Sequence, residues 1–65
     1  MSEGESEYKK GLKCMKTGLF KRKPDLTSAA MHFEAAAKAY EKERNTDGAI
    51  NAYEQLAKVN EQMNE

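Results

Sequence analysis

Residues 33–53, FEAAAKAYEKERNTDGAINAY, decide the fold. Phe33 and Tyr40 stand two helical turns apart, and Ala36 and Ala37 fall between them on the same side. Asn45-Thr46-Asp47-Gly48 then interrupts the helical pattern with residues that favour turns and caps. After the break, Ala49 and Tyr53 begin another helical stripe. The order large, small, small, large has a packing meaning: aromatic rings fill the groove between paired helices, and alanines let the backbones approach.

Outward from this stretch, the same periodicity continues in both directions. Towards the C-terminus, Ala49, Ala52, Tyr53, Leu56, Ala57 and Met63 form an amphipathic stripe, predicting a helix over about 47–63. Towards the N-terminus, Leu26, Ala29, Ala30, Met31, Phe33 and the alanines up to Tyr40 cover more than one face of a helix predicted over about 25–44. Such a helix is built to take a neighbour on each side. Asp25 or Thr27 can cap it, and Pro24 disfavours helical geometry at Lys23.

Before the proline, Tyr8, Leu12, Met15 and Leu19 recur at helical steps, predicting a helix over about 3–17. Ser2 and Glu5 have the spacing of a capping box, and Gly18 suits a left-handed C-terminal stop. Gly4 and Gly11 weaken this segment, each by roughly 1 kcal/mol relative to alanine. No segment alternates with a period of two. The expected fold is therefore all-α: an antiparallel helix-turn-helix arrangement of about three helices in one domain, residues 1–65.

The spacing of Phe33, Ala36, Ala37, Tyr40, Ala49 and Tyr53 matches the tetratricopeptide pattern, and these six are the expected repeat-packing residues. The pattern's closing proline is missing, and Ala37 stands in place of its glycine. A second register lies one helix earlier, with Tyr8, Gly11, Leu12 and Met15 opening and Ala29, Phe33 and Ala36 closing. The middle helix would then serve both neighbours, as an array requires. A free-standing three-helix bundle satisfies the same periodicities. Because arrays usually need about three repeats, the expectation is a piece of a longer protein or a product that pairs with another chain.

Composition narrows the function classes. Of 65 residues, eleven are Lys or Arg and eleven Asp or Glu, giving a formal net charge of zero and no global basic field for nucleic acid. Cys14 is a lone cysteine, and no apolar run marks a signal peptide or a transmembrane helix, so the cytosol is the expected compartment. Cys14 and His32 are too few for a zinc site, and the glycines do not form a phosphate loop. No pairing activates a nucleophile. The expectation is a non-enzyme without cofactor, metal or small-molecule substrate.

In the stretch GLFKRKPD, residues 18–25, an apolar pair sits beside three cations in a turn. Leu19 suits the hydrophobic seal that follows a C-terminal glycine. Phe20 fits either a packed loop or a membrane contact. Lys21, Arg22 and Lys23 are by default a solvated turn, and beside an exposed Phe20 they would each add about 1 kcal/mol on an anionic leaflet.

Lys16-Thr17-Gly18 followed by an apolar pair, then Lys23-Pro24-Asp25 and Ser28-Ala29-Ala30, resembles the start of gamma-type members of the soluble NSF attachment protein (SNAP) family. The resemblance runs from Lys16 to Glu65. It implies a curved array of helix pairs that binds assembled SNARE complexes, syntaxin-type partners included, and helps recruit the NSF ATPase for SNARE disassembly. It further implies an adaptor in vesicle-mediated, ER-Golgi and intracellular protein transport and membrane fusion, cytoplasmic and peripherally associated with membranes. The family's membrane-contact loop corresponds here to Leu19, Phe20, Lys21, Arg22 and Lys23. Arg22 departs from the family, where a further aromatic is expected, and the family's C-terminal ATPase-engaging region is not in this sequence. The competing expectation is a generic tetratricopeptide-like protein-interaction module.

Overall fold

The computed structural model describes residues 2–16 and 25–64. Within them the chain is all-α, with helices α1 (Glu3–Lys16), α2 (Leu26–Lys42) and α3 (Thr46–Met63). Each helix starts on a cap that the sequence supplies. The Ser2 hydroxyl accepts from the Glu5 amide at 3.0 Å, the Asp25 carboxylate from the Ser28 amide at 3.1 Å, and the Asn45 side chain from the Gly48 amide at 2.9 Å. Only half of the expected Ser2–Glu5 box forms as such, because the Glu5 carboxylate lies 3.3 Å from the Lys9 ammonium. α1 gains a second cap from outside itself: the Gly4 amide donates to the Glu43 carboxylate, 3.1 Å away at the end of α2.

The contacts across α2 run in opposite directions on its two sides. Tyr40 meets Gly4, Phe33 meets Gly11, and the Asp25 amide donates to the Cys14 carbonyl at 3.2 Å, so α1 lies antiparallel to α2. Tyr40 also meets Gly48, Tyr53 reaches Glu41, and Val59 joins Ala29 and Phe33, so α3 is antiparallel as well. α1 and α3 barely touch each other. The molecule measures 36 × 24 × 14 Å. Three helix axes in a row at 8–10 Å spacing would span roughly 21–25 Å between outer Cα atoms, whereas a triangular bundle would be narrower. The architecture is therefore an open helix-turn-helix array with α2 in the middle.

Two clusters form the core. Phe33 is completely buried with Ala29 and Val59, and Tyr8, Leu12, Met15 and Leu56 pack around them. Tyr8 meets Phe33 edge-on, with centroids 5.5 Å apart and rings inclined by 67°. Ala36, Ala37 and Ala52 make the second cluster, flanked by Tyr8 and Tyr40, and here three small side chains bring α2 and α3 together.

The glycines have a different role from the one their propensity predicts. A Cβ on Gly11 would lie 2.7 Å from the Phe33 ring, and one on Gly4 would lie 2.6 Å from the Tyr40 ring. Gly48 belongs to the first turn of α3 rather than to the connection, and its Cβ would lie 2.7 Å from the same Tyr40 ring. The two aromatics of α2 thus occupy space that side chains on α1 and α3 would otherwise fill.

A polar contact also ties α1 to α2. His32 Nδ1 and Glu7 Oε1 are 2.8 Å apart, and Lys10 lies 3.7 Å from the other Glu7 oxygen. The hydrogen bond with His32 is the main reason the Glu7 carboxyl sits below its ordinary value; burial opposes it, and the charges of Lys10 and His32 add to it. A carboxyl lowered on folding contributes stability that is fully present above its unfolded value, about 4.3, and is lost as pH falls through the folded value. Glu7→Gln should therefore cost about 0.5–1 kcal/mol near neutrality and flatten the acid limb of the stability curve. Urea titrations between pH 3 and 7 would reveal this; parallel acid limbs in both proteins would contradict it.

Candidate interaction surface

α3 carries two stripes. Ala49, Ala52, Leu56 and Val59 face the core, while Ile50, Tyr53 and Ala57, one position later in each turn, face outwards. Ile50 is 51% and Tyr53 42% exposed. They line an open groove of about 380 Å³ together with Ala49 and Thr46 from α3 and Glu41 and Arg44 from the end of α2. The floor is largely apolar and the rim is charged.

The rim is fixed by backbone and side-chain hydrogen bonds. The Tyr53 hydroxyl donates to Glu41 Oε1 at 3.0 Å, and this bond, with lesser contributions from burial and from the charges of Glu41 and Glu34, raises the pKa of the phenol. Arg44 has φ 61°, the left-handed conformation that glycine usually occupies after a helix. Its amide donates to Glu41 at 3.0 Å and the Asn45 amide to Tyr40 at 2.8 Å, the paired bonds of a Schellman ending. Arg44→Gly should therefore stabilise the chain by about 0.5–1 kcal/mol. That corresponds to a few degrees in a circular-dichroism melt, and a lower midpoint would show that the arginine side chain contributes more than its backbone costs.

The sequence-predicted residues divide three ways. Phe33, Ala36 and Ala37 are fully buried and Ala49 is 7% exposed, all of them between helices. Tyr40 is half-buried against Gly4 and Gly48, where burial above all, then the charges of Glu5 and Glu43, raises its phenolic pKa. Tyr53 is a correction: expected to fill an interhelical groove, it lies on the outward side of α3, because Ala49, Ala52, Leu56 and Val59 already form the inward stripe. Leu19, Phe20, Lys21, Arg22 and Lys23 lie outside the described residues, as do the expected seal by Leu19 and stop at Gly18.

Sequence reasoning missed Val59, which is 1% exposed, and Arg44. Val59 was accessible from spacing, since it continues the series Ala52 and Leu56. Nothing in the residue type of Arg44 marks it for a left-handed conformation.

Among the described residues, no helix is long and apolar enough to cross a membrane. Compared with protein-family models, with curated proteins and with solved structures, the chain matches none.

Proposed function

We propose that this chain is a non-catalytic adaptor segment of the soluble NSF attachment kind, which docks helical partners of the SNARE class and assists recruitment of the NSF ATPase during vesicle transport. The observation that carries the docking role is the outward stripe of α3, where Ile50 and Tyr53 stand exposed beside a charged-rim groove in an open array. A helix whose inward face is already satisfied keeps a second apolar stripe where another helix can pack. The choice of SNARE partners, and of cytoplasmic work at a membrane surface, rests on the resemblance of residues 16–65. Leu19 and Phe20, with Lys21, Arg22 and Lys23, supply the peripheral membrane contact in this reading. A generic helical interaction module is the second reading, favoured by the groove because it needs no membrane loop.

Two measurements separate the readings. Isothermal titration against an assembled four-helix SNARE bundle should detect binding that Ile50→Asp weakens at least about ten-fold, since it places a charge on a desolvated apolar contact. In liposome flotation, Leu19→Ser with Phe20→Ser should reduce recovery with vesicles. Loss of the first effect alone removes the α3 surface from the adaptor role. Unchanged flotation removes the membrane contact and leaves the generic module.

A further inference from the structure

The cations of this chain are unevenly distributed. Residues 9–23, KKGLKCMKTGLFKRK, hold seven of the eleven Lys and Arg and no acid, so the rest of the chain carries four cations against eleven acids. Helical periodicity orders the described part of this run. Tyr8, Gly11, Leu12 and Met15 pack towards α2, which puts Lys9, Lys13 and Lys16 at i, i+4 and i+7 on the outward side of α1, with Lys10 beside them. All four are exposed. Lys9 pairs with Glu5 at 3.3 Å and Lys10 with Glu7 at 3.7 Å, along the helix surface. Lys13 and Lys16 have no ion-pair partner among the described residues.

The helix dipole favours lysines in the last turn of α1, and that accounts for Lys13 and Lys16 one at a time. It does not account for a fifteen-residue run without a single acid in a chain of zero net charge. We infer that the outward flank of α1, at Lys9, Lys13 and Lys16, is a docking face for the anionic headgroups of a lipid surface. This rests on the membrane-contact reading above and names the lipid class that the contact requires.

Three features favour lipid over nucleic acid. From Lys9 to Lys16 the flank is only about 10 Å long, no aromatic stands between Lys9 and Lys16 to stack on a base, and the sequence runs on into Leu19-Phe20, an apolar pair suited to headgroup depth. The placement also suits an adaptor. α1 and α3 lie on opposite sides of α2, so a surface engaged by α1 leaves the groove on α3 free.

Each lysine near an anionic leaflet should raise partitioning about five-fold, so removing two should lower it about 25-fold. The test is co-sedimentation with phosphatidylcholine vesicles, with and without phosphatidylserine, comparing the wild-type chain with Lys13→Gln/Lys16→Gln, Lys13→Arg/Lys16→Arg and Leu19→Ser/Phe20→Ser. The glutamine pair should lose most binding to the anionic vesicles only, the arginine pair should keep it, and added salt should abolish the difference. Circular dichroism should be the same for wild type and the two lysine variants, because Lys13 and Lys16 are exposed. If the glutamine pair binds like wild type while the serine pair does not, the α1 flank is refuted and the loop contact survives. If wild type does not bind anionic vesicles, both fail. If the lysines instead govern retention of a single-stranded RNA oligomer with no vesicle binding, the face belongs to nucleic acid and the lipid inference is overturned.

Discussion

Phe33→Ala should remove roughly half of the chain's stability. Truncating a buried phenylalanine typically costs about 3–5 kcal/mol, and a chain of 65 residues has roughly 3–10 kcal/mol of total stability. The position is more exacting than its burial alone implies. Phe33 touches Gly11 and Tyr8 on α1 and shares a cluster with Val59 on α3, while α1 and α3 barely meet. One ring thus connects both outer helices to the middle one. A cavity there cannot be closed by moving either outer helix without uncovering the other cluster, at Ala36, Ala37 and Ala52. Phe33→Leu should be milder, because it keeps an apolar group of similar volume. Thermal and urea unfolding would decide the matter: a Phe33→Ala protein within 1 kcal/mol of wild type would mean that the array does not depend on this joint.

The regular part of this fold was legible because α2 announces itself. Phe33, Ala36, Ala37 and Tyr40 carry the spacing of a helix that serves two neighbours, and the caps at Ser2, Asp25 and Asn45 are residues whose side chains satisfy free amides. Periodicity alone did not separate an array from a bundle, since both bury the same stripes; the separation of α1 from α3 is a matter of where the axes lie. At the turn between α2 and α3, the sequence places a helix start near residue 47 after a cluster of cap residues; α3 begins at Thr46 with Asn45 as its cap, because the chain reverses direction at Arg44. Tyr53 shows the limit on the functional side. Tyrosine at a repeat position reads as core, and only the completed inward stripe of α3 frees it to line a groove.

The glycines of α1 give the second large effect, and here two principles oppose each other. By propensity, Gly11→Ala should stabilise a helix interior by about 1 kcal/mol. By packing, the new methyl would approach the Phe33 ring to 2.7 Å, inside any ordinary contact distance. Phe33 has no exposed surface and is held by Tyr8 and Val59, so the ring cannot swing aside. Overpacking costs about 1–3 kcal/mol, so Gly11→Ala should come out destabilising by about 1 kcal/mol, and Gly11→Leu by about 3 kcal/mol or more. A double-mutant cycle tests the cause rather than the size. If the ring is what excludes a side chain at position 11, Phe33→Leu should relieve much of the cost of Gly11→Ala, and the two changes should be clearly non-additive. Additive losses, or a Gly11→Ala chain more stable than wild type, would return Gly11 to the status its sequence alone suggests, a weak point in a helix rather than a seat for Phe33.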